Sequence, residues 1–190
     1  MLLKQVLIFL LETFLGLFAL ALLVRFYLQL MRAPARNPLS TFLGALTNWI
    51  VVPARRIIPG LFRVDLSTLV LAWLTQLILI FAVWSIAGGP IGLSGFALAA
   101  IAAAIAIVRL SIYIVMVTVI VQAVLTWVAP YSPVMPLLNS LTRPFLLVFA
   151  KRIPPIGNVD LSPIFVIVTC QLLLFVAGWA ESQLLGMGMR

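Results

Sequence analysis

The sequence predicts an all-α membrane protein: four transmembrane helices arranged as two parallel two-helix repeats, with an amphipathic cytoplasmic segment in each long loop. Three observations carry that expectation. Of the 190 residues, 65% are hydrophobic and only 8% charged, whereas globular domains run near one half and one quarter. The apolar residues gather into runs long enough to cross about 30 Å of hydrocarbon. The second half of the chain also repeats the first at a constant offset of 95 residues.

The first span is read over residues 6–24, apolar except for Glu12 and Thr13. Lys4 before it and Ala19-Leu20-Ala21 within it imitate a secretory signal, but the apolar run continues unbroken to Arg25, so it is read as uncleaved. The second span covers 66–87 and the fourth runs from 164 to about 179. The third stretch, 95–129, would be about 52 Å long as one helix. No Gly or Pro near Arg109-Leu110-Ser111 supplies a turn, so one long or tilted helix is expected.

The charge of +8, from 12 Lys+Arg against 4 Asp+Glu, falls mostly in two loops. Arg25, Arg32, Arg36, Arg55, Arg56 and Arg63 lie between the first two spans. Arg143, Lys151 and Arg152 lie between the last two, and the Gly-Gly-Pro-Ile-Gly turn at 88–92 carries no charge. The positive-inside rule then makes both long loops cytoplasmic and both termini periplasmic, with Lys4 and Arg190 as minor opposition. The chain has no His and a single Cys, Cys170. That removes imidazole catalysis, a His-ligated metal, an internal disulfide and multi-cysteine metal sites. No catalytic residue, cofactor or metal is expected, and the basic residues read as topology signals rather than a nucleic-acid surface.

Overlaying the chain on itself at the 95-residue offset matches Pro38, Leu43, Leu46, Thr47, Ile58, Pro59, Val64, Asp65, Leu66, Ser67, Gln76 and Leu77 with their second-half counterparts, 12 identities across the 41 positions 37–77. Apolar bias alone does not explain matched Pro, Thr, Asp-Leu-Ser and Gln. The halves are therefore read as repeat 1 (1–94) and repeat 2 (95–190). Two spans per unit return the chain to its starting side, which makes the repeats parallel. Each loop holds a mixed segment, 42–58 and 137–153, that begins after Asn-Pro or Ser-Pro and ends in Arg55-Arg56 or Lys151-Arg152. Such a segment can lie along the inner leaflet, form an ordinary topology-setting loop, or re-enter the membrane. Pro53 argues against an undisturbed helix in the first, and Pro144 permits one starting there in the second.

The doubled pattern of Asn/Ser-Pro, Thr, basic pair, Ile-Pro and Asp-x-Ser opening a span resembles the YggT family, also called YlmG. The likeness covers about residues 6–181. The sequence departs from it at Trp49 opposite Pro144, Phe62 opposite Gly157, Val148 opposite Pro53, and Ala150-Lys151 opposite Arg55-Arg56. The resemblance implies a polytopic inner-membrane protein without a defined enzymatic activity. It also implies similarity to proteins linked to osmotic tolerance and ion uptake, cell division and nucleoid organisation, and plastid cytochrome assembly.

Three sets of residues are candidates for chemistry. Asp65 and Asp160 open outgoing spans and suit helix N-termini, with Ser67 or Ser162 as alternative caps. Gln76 and Gln171 lie eleven residues further on, about 16 Å deeper, where they would bond each other across the repeat axis or line a narrow pathway. Together these form one polar column per repeat. Arg55, Arg56, Lys151 and Arg152 are candidates for contact with anionic inner-leaflet lipid or a partner. Glu12 and Arg109 fall at matched depth on the first and third spans, where Arg109 either pairs with Glu12 or reaches the outer headgroups. Small residues four apart in 97–106 suit close helix packing, within the chain or between copies. Cys170 reads as a buried inert thiol. The expected function is a non-enzymatic accessory or assembly factor contacting anionic lipid and other membrane proteins, with a homo-oligomer possible. The alternative is a small cation channel or transporter component.

Overall fold

The protein is described by a computed structural model over residues 1–34, 37–58, 65–89, 92–152 and 160–188. Arg36, Arg63, Pro59 and the Ile153-Pro154 end of the second loop segment lie outside the described residues. The described chain forms six helices and no strand: α1 (Leu2–Leu30), α2 (Pro38–Ile57), α3 (Leu66–Ala87), α4 (Leu93–Val128), α5 (Met135–Ala150) and α6 (Ser162–Gly188). Four of these, α1, α3, α4 and α6, are long and apolar enough to cross a membrane.

The third stretch is one uninterrupted helix of 36 residues, about 54 Å long. Its one glycine, Gly95, lies in the first turn and no Gly or Pro follows it, so the backbone groups between its ends stay satisfied by the i−4 ladder, which hydrocarbon demands. Its connection to α3 turns at Gly88, which adopts the left-handed conformation (φ 85°) at the α3 C-cap. There Gly89 N–H donates to the Trp84 carbonyl at 2.7 Å.

Both loop helices run through the prolines that were expected to break or start them. Pro53 lies inside α2, and Pro144 lies inside α5, nine residues after its first residue Met135. Each proline is on an exposed side of its helix. A lost i−4 bond there opens outward, away from the packed face, and the helix continues through the proline. α2 begins as a sequence reading would place it: Asn37 is the N-cap, its side chain accepting from Ser40 N–H at 2.7 Å, with Pro38 in the first turn.

The most extensive pairings are α1 with α3 and α4 with α6, and each loop helix packs on the two spans it connects. Leu22, Leu23 and Phe26 of α1, Val51 of α2, Leu71 and Ala72 of α3, and Ile107 and Ile114 of α4 form one buried cluster. The two halves meet along α3 and α4. Ala99 and Ala103 are fully buried there against Leu77, Trp73, Phe81 and Trp84, so the small-residue stripe packs within the chain. Trp73 Nε1 reaches across to donate to the Ala100 carbonyl at 3.2 Å. In lipid no hydrophobic gain drives helices together, so such close approach and the bond it permits hold the seam.

Ala103→Leu should therefore overpack the seam and cost about 1–3 kcal/mol, read as a lower unfolding temperature in detergent. Ala104→Leu, one residue on and exposed, should stay within about 0.5 kcal/mol of the parent. Equal losses would show that the seam is not tightly packed.

Candidate functional site

Polar side chains concentrate where α2 crosses the loop-proximal end of α1. Leu43, Thr47 and Val51, four residues apart, form the buried face of α2. From α1, Arg25 reaches this face and its Nη1 donates to Thr47 Oγ1 (2.5 Å) and Asn48 Oδ1 (2.8 Å). Two turns later along α2, Arg55 donates from Nη2 (2.5 Å) and Nε (3.2 Å) to Asp65 Oδ2 at the start of α3. The Gln29 amide lies between them; oriented to satisfy both, its nitrogen donates to Asp65 Oδ2 (2.8 Å) and its oxygen accepts from Arg55 Nη2 (2.9 Å). Thr68 Oγ1 donates to the same carboxylate at 2.5 Å, and the buried Ser67 hydroxyl donates to the Ile58 carbonyl at 2.7 Å. α1, α2 and α3 are thus tied at one level.

The opposite face of α2 is apolar and uncovered. Phe42, Leu46, Trp49 and Val52 are all exposed, and Trp49 meets only the edge of the bundle, its ring 5.8 Å from that of Phe18. Phe18 lies seven residues, about 10 Å, further along α1 from its loop end than Arg25. The uncovered face of α2 therefore turns toward the middle of the bundle, and Arg55 toward its end.

The second half has a sparser version. Gln122 of α4 donates to Asn139 Oδ1 (2.7 Å) and accepts from Thr142 Oγ1, joining α4 to α5. Thr142 is the counterpart of Thr47, and both are fully buried and also donate to the carbonyl four residues back. The counterpart of Arg55 is Ala150, so no equivalent pair holds Asp160. Its Oδ1 accepts from Ser162 N–H at 2.8 Å, capping α6, while the buried Ser162 hydroxyl has no partner among the described residues.

With this geometry in hand, the comparisons with known proteins decide the family. The model of the CCB3/YggT family matches residues 4–86 and 101–180, one stretch in each half. This chain belongs to the CCB3/YggT family. It is 38% identical over 169 residues to "Uncharacterized protein PA0392" of Pseudomonas aeruginosa, covering 87% of this chain and 85% of the relative. It is 28% identical to "Uncharacterized protein in proC 3'region" of Vibrio alginolyticus, over 90% of this chain and 92% of the relative. To "Uncharacterized protein YggT" of Escherichia coli K12 it is 26% identical, over 93% and 89%. No solved structure matches the chain.

In this CCB3/YggT chain, the charge pair expected between Glu12 and Arg109 is not formed. Arg109 Nη1 instead donates to Glu181 Oε2, and Glu12 is exposed on α1. Depth was matched correctly, since Glu12 is 18 residues from Leu30 and Arg109 is 19 from Val128, both about 27–28 Å from the loop ends of their helices. Glu181 lies 19 residues from Ser162 at the same depth. Neighbourhood decides between them, because α4 packs extensively on α6 and only slightly on α1. Glu181 was passed over because the fourth span was ended near residue 179, whereas α6 continues to Gly188.

The polar columns do not meet either. Gln76 is buried in α3, but Gln171 is exposed on the surface of α6, so the two amides do not bond across an axis. Asp65 is engaged by Arg55 and Asp160 caps α6. Among the basic candidates, Arg56, Lys151 and Arg152 are exposed and form no ion pair with the described residues, while Arg55 is committed to Asp65. Cys170 is buried, as expected, beside an apolar cavity of about 320 Å³ that Tyr27, Ile112, Phe149 and Leu173 also line. Sequence reasoning missed Arg25, Asn48 and Glu181 as polar contacts. The matched threonines and the glutamines at 29 and 122 were the available signal for the level at which these contacts gather.

Burial by itself would raise the Asp65 carboxyl, but the hydrogen bonds from Arg55 and Thr68 and the Arg55 charge outweigh it and hold it below its ordinary 3.8. A carboxylate lowered in the fold stabilises it above the unfolded value, and that contribution is lost as pH falls through the folded value. Asp65→Asn should cost about 1 kcal/mol at neutral pH, since Arg55 is partly solvated. It should also flatten the decline of thermal stability between about pH 5 and pH 3. An unchanged acid profile would separate Asp65 from that decline.

For the other pair, Arg109→Glu and Glu181→Arg should each lose about 1–2 kcal/mol, with much of it recovered in the swapped double variant. Glu12→Gln combined with Arg109→Gln should be additive. Recovery by a Glu12–Arg109 swap instead would reverse the assignment.

Proposed function

We propose that this CCB3/YggT-family protein is a non-enzymatic accessory factor of the bacterial inner membrane, serving assembly or envelope organisation linked to osmotic tolerance or cell division. In this reading 1–94 and 95–190 are parallel repeats, the long loops are cytoplasmic and the termini periplasmic. α2 and α5 lie in the cytoplasmic leaflet, where they contact anionic lipid and other membrane proteins, a second copy of the chain among them. The observation that carries it is the construction of α2. One face is bonded to α1 and α3 through Thr47, Asn48 and Arg55, while Phe42, Leu46, Trp49 and Val52 are left uncovered. An amphipathic helix held this rigidly presents a fixed surface to the leaflet without needing a catalytic group. Arg56, Lys151 and Arg152 then supply the lipid-directed charge, at about 1 kcal/mol per basic residue near the surface.

Conduction by one chain would need the Asp65/Gln76 and Asp160/Gln171 columns to face a common wet path. The ion pair at Asp65 and the outward placement of Gln171 favour the accessory reading over it.

In a Cys170→Ser background, Ser94→Cys should label from the periplasm, and Asn37→Cys and Asn139→Cys from the cytoplasm. A spin label at Leu46→Cys should be shielded from aqueous relaxants, and one at Arg56→Cys should not. Replacing Arg56, Lys151 and Arg152 with Gln should lower crosslinking to membrane partners and abolish any osmotic growth phenotype. Gln76→Leu with Gln171→Leu should leave both largely intact. Selective cation flux in proteoliposomes of the purified protein, lost in the glutamine pair, would decide for conduction.

A further inference from the structure

A second cavity, of about 380 Å³, opens between the end of α1 and the first turns of α2, lined by Arg25, Leu28, Gln29, Arg32, Ser40 and Gly44. Two arginines line this space together with Gln29 and Ser40, and no acidic residue is among its described lining. Of the four acidic residues of the chain, Asp65 is held by Arg55 and touches the cavity wall only through Gln29, Glu181 is on Arg109, Asp160 caps the α6 N-terminus, and Glu12 is 18 residues along α1 from its loop end. Arg25 uses Nη1 on Thr47 and Asn48, and its other donors make no bond to the described residues. A guanidinium has five N–H donors in a planar fork, so Nε and Nη2 remain for a ligand.

The second observation is the backbone at Arg32. α1 closes with Ala33 N–H donating to the Leu28 carbonyl (2.9 Å) and Arg32 N–H to the Gln29 carbonyl (3.1 Å). Arg32 occupies the left-handed position (φ 51°) and is the only non-glycine with positive φ among the described residues. Glycine takes that position without strain; here an arginine occupies it and lines the cavity. The cavity also borders the N-terminal turns of α2, whose dipole favours negative charge.

We propose that this cavity binds a phosphate-bearing anion, held by Arg25 and Arg32 in the charge-assisted geometry guanidinium groups make with phosphate oxygens. An anionic phospholipid headgroup and free phosphate share this chemistry. The lipid source rests on the proposed placement of α2 at the leaflet; the anion site itself does not, and it is testable in detergent.

Full-length protein in neutral detergent is titrated with inorganic phosphate and, separately, with short-chain phosphatidylglycerol, against sodium chloride at equal ionic strength. Saturable binding is expected, weakened about tenfold in Arg32→Gln and in Gly44→Leu, whose side chain occupies the cavity. Arg143→Gln, exposed on α5, should bind as the parent does. Arg32→Gln leaves the Arg25 bonds to Thr47 and Asn48 in place, so its loss reports the site, and an unchanged unfolding temperature of Gly44→Leu, whose side chain starts beside Asn48, shows that its loss does too. Binding of phosphatidylglycerol that phosphate does not displace assigns the headgroup, and equal binding of phosphate alone assigns the free anion. No saturable binding of either probe, or binding undiminished in both cavity variants, overturns the site. If the site survives but Leu46→Cys is open to water, the leaflet placement fails and the anion site stands.

Discussion

A charged group at the edge of hydrocarbon must have a partner or reach water, and this requirement organises the polar contacts of the fold. Arg55 on Asp65, with Gln29 between them and Arg25 on Thr47 and Asn48, meets it at the loop end of the first half. These contacts join the amphipathic α2 to two spans, α1 and α3, that are apolar almost all round and have little else to set their rotation or register. Packing alone would leave α2 free to slide along α1. Two guanidinium anchors about two turns apart on α2 define where it crosses and which face it leaves uncovered.

The two halves meet the same requirement differently. The first uses an ion pair at the loop end, and the second uses the neutral Gln122–Thr142–Asn139 contacts there and places its ion pair, Arg109–Glu181, 19 residues from the loop ends of α4 and α6. Ala150 in place of Arg55 accounts for the difference at the loop end. The threonines at 47 and 142 persist in both because a buried hydroxyl can satisfy itself on its own helix and still reach the neighbouring span.

In the proposed reading, function is a property of surfaces. The accessory reading draws on the uncovered face of α2 and the exposed charges at Arg56, Lys151 and Arg152. The anion cavity lies on the other side of the same helix, so lipid contact and headgroup recognition would act on one rigid element. Any force on α2 would be passed to α1 and α3 through Arg25 and Arg55.

The sequence alone determined the helical class, the four long apolar helices, the unbroken α4 and the family, because each follows from composition or local pattern along the chain. Run length measures a span, and the lack of Gly and Pro forbids a turn. It also determined the depth of charged residues, since a helix rises by a constant amount per residue. Which helices are neighbours was decided only by the tertiary structure. Glu12, Arg109 and Glu181 share one depth, and packing of α4 on α6 selects between two equally placed acids. Gln76 and Gln171 match in register, yet one is buried and the other exposed, because rotation about a helix axis is set by side-chain packing. Uniformly apolar helices carry almost no periodic signal for that rotation. The few polar residues that break the uniformity are read correctly only once their partners on other helices are known.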